Sequence, residues 1–138
     1  MIAKETPNEC SMTVYLPTHP DLRTRLPEDT GLLVACYCAA WCDTCSLYRG
    51  RFEAMAKQHP EHTFVWIDIE DDPELLGDED VENFPTILIE KSHRVLFFGV
   101  MLPHIQQLER LLQSLIEGPN PPGITTGLND VRQQLIEY

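Results

Sequence analysis

Polar and apolar positions along this chain fall into short blocks, and the spacing within each block predicts an element. Thr13 to Leu16 is β-prone and predicts a short edge strand. Leu22 to Leu26 predicts a short helix, with Thr18 as N-cap, Asp21 in the first turn and Pro27 as the stop. Leu32 to Cys38 is apolar throughout, as a strand buried on both faces would be. Beyond it Tyr48, Phe52, Met55 and Ala56 recur at helical spacing, so a helix is expected from Cys42 to about Gln58. Thr63 to Ile69 is the next strand. The acidic run from Asp68 to Glu82 reads as a solvated helix face; as a calcium loop it fails, with Pro73 where a glycine is needed. Thr86 to Glu90 and Val95 to Phe98 pair through a Lys91–Arg94 hairpin turn. Ile105, Leu108, Leu111, Leu112 and Leu115 mark an amphipathic helix opened by Pro103.

That order of elements predicts a central mixed sheet with helices on both faces, an α/β three-layer fold. Residues 1–12 are polar and expected to be flexible, and residues 13–117 make one domain. Gly118 to Gly123 is a Pro/Gly linker. Leu128, Val131, Leu135 and Tyr138 then lie at helical spacing, in a tail helix expected to dock back on the domain. Residues 118–138 thus form a third segment.

Charge narrows the function. A formal net charge of −12 argues against nucleic acid and anionic membrane as partners and suits basic or neutral proteins. No apolar run approaches the length of a membrane helix, and the first residues lack the layout of a secretory signal. A cytoplasmic protein is expected.

The cysteines sharpen this. There are five, and Cys36, Cys38, Cys42 and Cys45 crowd into ten positions, whereas Cys10 stands apart and reads as incidental. An odd, clustered count does not make a secreted disulfide framework. Cys42 and Cys45, separated by two residues, sit where a strand gives way to a helix. There the unpaired N–H groups and the helix dipole favour a thiolate on Cys42. Such a dithiol can attack another disulfide and then close on itself. A zinc site would need two further ligands that the histidine spacing does not offer. Cys36 and Cys38 alternate with Tyr37 and so share one side of the strand. They read as small buried residues; the sharper alternative makes Cys38 an auxiliary thiol, or a metal ligand with Cys42 and Cys45.

Trp41-Cys42-Asp43-Thr44-Cys45 after an apolar strand, with Phe84-Pro85-Thr86 downstream, resembles the thioredoxin superfamily from about Leu32 to Glu117. The resemblance implies the thioredoxin-like fold. It makes Cys42 the nucleophile and Cys45 the resolving thiol, with Trp41 shielding the nucleophile. It implies that Pro85 is cis opposite the dithiol and that Phe84, Pro85 and Thr86 take an extended substrate segment. It also implies a bend at Gly50, where family members carry a proline; close contact with a neighbouring element is the alternative reason for that glycine. Three departures follow. Asp43 and Thr44 replace the usual Gly-Pro, and the Asp43 carboxylate works against the thiolate, which makes the couple more reducing than oxidant-type members. Cys36 replaces the family's buried acid, and Trp66 the lysine that accompanies it, so the second chemical step should be slow. The tail helix has no counterpart in a minimal member.

The reading is a disulfide reductase acting on protein substrates. It needs no bound organic cofactor or metal, and its electrons would come from a thioredoxin reductase or a low-molecular-weight thiol. The rival reading is a binding or chaperone-like module that uses the substrate groove with little turnover.

Overall fold

The computed structural model describes residues 14–28, 31–119 and 121–138; Cys10, Thr13 and the rest of the N-terminal segment lie outside them. Five strands form one sheet in the order β1-β3-β2-β4-β5: β1 (Val14–Tyr15), β2 (Leu33–Cys38), β3 (Thr63–Asp68), β4 (Thr86–Lys91) and β5 (Arg94–Val100). β2 is central, parallel to β3 and antiparallel to β4. All six of its residues are buried, as a continuous apolar run requires when both sheet faces are covered. Ser92 and His93 both take positive φ, 53° and 68°, and reverse the chain between β4 and β5.

The α/β three-layer expectation holds. On one face α2 (Asp43–Gln58) and α3 (Ile105–Glu117) bury Tyr48, Phe52, Leu108 and Leu112 against Val34, Cys36, Phe64 and Ile87. On the other, α1 (Asp21–Arg25) and the tail helix α4 (Val131–Glu137) bury Leu22, Val131 and Leu135 against Leu33, Val65 and Leu88. Each fully buried aliphatic side chain contributes roughly 1.5–3 kcal/mol, so the tail belongs to the second core.

The helix boundaries need five corrections. Thr18 does not cap α1: Pro20 stands at the N-cap with no side-chain bond, and His19 Nδ1 instead accepts from the Asp21 N–H at 3.1 Å. Pro27 does not stop the chain's turning either, because a 3-10 turn runs from Leu26 to Glu28. The acidic run is no helix face; it holds a single 3-10 turn, Pro73–Leu76, with only Leu75 buried. Pro103 precedes the N-cap His104 of α3, and Leu128 lies before α4.

The tail is held by polar atoms as well. Arg132 Nε donates to both carboxylate oxygens of Glu90, at 2.9 and 3.1 Å, and Nη1 donates to the Leu26 carbonyl at 3.2 Å. The two side chains are 2% and 3% exposed. Asp130 caps α4 by accepting from the Gln133 N–H. Gly77 (φ 57°) lets the tail approach: a Cβ there would stand 2.6 Å from the Gly127 carbonyl oxygen.

Candidate active site

β2 carries the chain to Cys38, and Ala39 to Trp41 turn it into α2. The Cys42 N–H donates to the Ala39 carbonyl at 3.1 Å, and the Cys42 carbonyl accepts the first helical bond, from the Ser46 N–H at 3.2 Å. Cys42 is therefore the N-cap residue, extended at φ −91° and ψ 118°. An N-cap side chain faces the unpaired N–H groups of the first turn. Cys42 is half-buried and its thiol is free, as is that of buried Cys36. Asp43 is exposed and Thr44 half-buried, so water screens the Asp43 charge.

Cys45 lies one turn in and is 2% exposed. Its sulfur is bonded to Cys38, across a Cα–Cα distance of 5.8 Å. The sequence pairs Cys45 with Cys42; the structure joins it to the last residue of β2. The reading of Cys38 as only a small buried residue is thereby corrected. Alternation along β2 had put Cys36 and Cys38 on one side, and they are: their sulfurs are 3.8 Å apart. A disulfide sulfur has no hydrogen, so the Cys36 S–H is the donor.

Trp41 is 65% exposed. Its indole N–H donates to Glu70 Oε2 at 2.9 Å, and its ring meets the Phe84 ring edge-on with centroids 5.7 Å apart. Glu70 was hidden in the acidic run; its only sequence signal is its place just past the end of β3. The Phe84–Pro85 bond is cis, Pro85 is buried, and its carbonyl accepts from the Met101 N–H at 3.0 Å. Phe84 and Cys42 pack against the same core cluster. Thr86, buried, donates through its hydroxyl to the Asn83 carbonyl at 2.8 Å. The structure thus brings Trp41, Cys42 and Phe84 to one end of the sheet, over Cys38 and Cys45.

Beneath them the family's charged pair is replaced by an apolar one. Cys36 stands opposite Trp66 in the β2–β3 register, and burial pushes the Cys36 thiol well above its ordinary range. Trp66 packs on Phe52 and lies under the Arg49 guanidinium, 5.2 Å from its ring. The Tyr48 hydroxyl, in the same cluster, is buried and has no hydrogen-bond partner among the described residues. Gly50 faces open space, with nothing within 4 Å of an added Cβ, so close packing does not explain it.

Among the described residues two groups bring three metal-type donors together, His59 with Glu61 and His62, and Glu90 with His93 and Asp130. The first lies around the far end of α2 from Cys42, and in the second Glu90 already holds Arg132.

The thioredoxin family model matches residues 17–107. The chain belongs to the thioredoxin family. A thioredoxin of the sponge Geodia cydonium is 30% identical over 87 residues, 62% of this chain and 81% of that one. Thioredoxin H4-2 of rice is 27% identical over 93 residues, covering 66% and 68%. Among solved structures, thioredoxin from Trypanosoma brucei brucei superposes with a TM-score of 0.66 at 21% identity, covering 85% of this chain and 100% of its own. Poplar thioredoxin h gives 0.66 at 16% identity, covering 77% and 98%. Thiol–disulfide oxidoreduction is the activity this membership supports. The match stops at residue 107, short of the docked tail.

Proposed function

We propose that the protein reduces disulfides in protein substrates, with Cys42 as the attacking thiol and Cys45 as the thiol that resolves the mixed disulfide. The observation that carries this reading is the half-buried free sulfur of Cys42 at the N-cap of a helix sixteen residues long. The dipole and unpaired N–H groups there stabilise a thiolate. That thiolate attacks one sulfur of a substrate disulfide and expels the other as a substrate thiolate. Cys45, as a thiolate, then attacks the Cys42 sulfur, which releases the second substrate thiol and leaves Cys42–Cys45 oxidised. The substrate gains two electrons and the protein loses two.

The exposed Trp41 face and the Phe84–Pro85–Thr86 segment are the surface on which an extended substrate strand would lie. The resolving step needs a proton removed from Cys45. Cys36, in the place of the family's acid, cannot take it, because burial keeps its own thiol protonated. Slow resolution and long-lived mixed disulfides follow. The clustered cysteines suit a reducing compartment and a cytoplasmic location, and the electrons are supplied by a thioredoxin reductase or a small thiol.

Insulin reduction with dithiothreitol as electron source tests the reading. The wild-type protein accelerates insulin precipitation and Cys42→Ser does not. A wild-type protein that binds reduced insulin without accelerating its reduction is instead the binding module.

A further inference from the structure

Cys45 has two cysteines as candidate partners. Cys42 stands three residues before it on the same helix, and Cys38 is bonded to it from the end of β2. The reductase cycle uses Cys42 and Cys45 and assigns Cys38 nothing. Resting on that cycle, we propose that Cys38 is a third redox-active thiol, which takes Cys45 over from Cys42 and frees Cys42 in the oxidised protein.

The step is an exchange without net redox change. The Cys42–Cys45 disulfide left by substrate reduction is attacked at the Cys45 sulfur by the Cys38 thiolate. A Cys38–Cys45 bond forms, the Cys42–Cys45 bond breaks, and the electron pair leaves on Cys42. The proton that Cys38 gave up is balanced by the one Cys42 can take from solvent. Over the whole sequence, one substrate disulfide becomes two thiols, the Cys38 and Cys45 thiols become a disulfide, and the Cys42 thiol is regenerated. Read backwards, the Cys42 thiolate attacks Cys45, expels Cys38, and returns the oxidising equivalent to the accessible pair where an electron donor can reach it.

Burial and the helix end favour the inner bond, and a neighbouring thiol assists its reversal. Cys45 and Cys38 are 2% and 0% exposed, so the disulfide sits where external thiols have no access, whereas the leaving group Cys42 stays at the helix N-terminus, which stabilises its charge. The Cys36 S–H lies 3.8 Å from the Cys38 sulfur and is a donor ready for the Cys38 thiolate on the return step. Tyr48 adds to the same cluster a buried hydroxyl that has no partner among the described residues. The oxidised protein is then an accessible monothiol with its second oxidising site sealed, and it captures a further disulfide at Cys42 without being able to resolve it until Cys45 is released.

Linkage mapping tests this. Reduced protein is oxidised with diamide, blocked under native conditions with N-ethylmaleimide, and then cut by chymotrypsin after Tyr37 and Trp41, which puts Cys38 on one peptide and Cys42 with Cys45 on the next. The expected result is a Cys38 peptide joined to that next peptide through Cys45, with Cys42 alkylated, each position being located by fragmentation. In Cys38→Ala, Cys42 and Cys45 are joined within their own peptide and native labelling of Cys42 is lost. Oxidised wild-type protein in which Cys42 is joined to Cys45, with Cys38 released as a thiol on denaturation, overturns the proposal. Insulin reduction by the same protein before alkylation, with dithiothreitol as electron source, reports separately on the reductase reading: absence of that activity with the Cys38–Cys45 link present removes the cycle, whereas activity with only the Cys42–Cys45 link removes the exchange.

Discussion

One face of the sheet buries sulfurs with several options; the other buries a carboxylate and a guanidinium with one. Cys36, Cys38 and Cys45 lie under the N-terminus of α2 within a cluster of aliphatic and aromatic side chains. Their contacts are a bond that can be exchanged and a weak S–H donor. Glu90 and the tail's Arg132 are buried together and bound through two hydrogen bonds, on the face whose core includes Leu26, Val131 and Leu135. A thiol costs little to bury, so several can share a site and trade partners. A charge costs a great deal to bury alone, so its partner cannot leave. The first face suits chemistry and the second suits fastening, and the central strand β2 belongs to both.

The sharpest way to break this contrast is to remove a partner on the fastened face. Arg132→Ala leaves Glu90 buried and uncompensated, and a broken buried pair costs about 3–5 kcal/mol. Urea unfolding measures the loss. The pH dependence has a definite sign. Burial already pushes Glu90 above the ordinary glutamate value of 4.5, with Arg132 pulling it back. Without Arg132 the folded-state value rises further, so the folded chain holds this proton to higher pH than the unfolded one. Stability that is present in acid is then lost as pH rises through the folded value. The deficit of Arg132→Ala is therefore smaller at pH 5 than at pH 8.

On the sulfur face, Cys36→Asp restores a group able to take the proton of Cys45. Rapid-quench decay of the mixed disulfide should quicken by about 10²-fold, the typical size of general-base help. The acid must be desolvated, and the variant loses roughly 1–3 kcal/mol of stability. Equal decay rates in two folded proteins would mean that water or another group already serves as the base.

The mildest probe is Gly50→Ala. The position is exposed, helical and open, so the variant gains about 0.5–1 kcal/mol in urea unfolding. A loss of stability would show that α2 needs the glycine for its path over the sulfurs.

What the sequence revealed follows the same division. β2 and α2 were legible because a continuous apolar run and a helical repeat have one reading each, and Trp41, Cys42, Cys45 and Pro85 stand where the motif puts them. The Cys38–Cys45 bond was not legible. Alternation shows that Cys38 and Cys36 share a side, but it cannot show that the end of β2 passes 5.8 Å from the first turn of α2. Arg132 was missed because a charged residue in a seven-residue helix looks like a solvated one, although Glu90 at the end of an apolar strand was a sign that a cation was needed. The Thr18 cap failed because His19 and Pro20 shape the turn before α1. The acidic run failed as a helix because only Leu75 and, in part, Leu76 within its 3-10 turn are drawn into the core.

The claim that organises the site is that the sulfur at the helix N-terminus attacks substrate. A Cys45→Ser protein, unable to resolve, is incubated with a disulfide-bonded protein substrate and quenched with N-ethylmaleimide, and the trapped complex is mapped by mass spectrometry. The expected adduct joins substrate to Cys42 and disappears in the Cys42→Ser, Cys45→Ser double variant. An adduct on Cys38 or Cys36 that survives in the double variant would contradict the account, because the attacking sulfur would then come from the strand and not from the helix end.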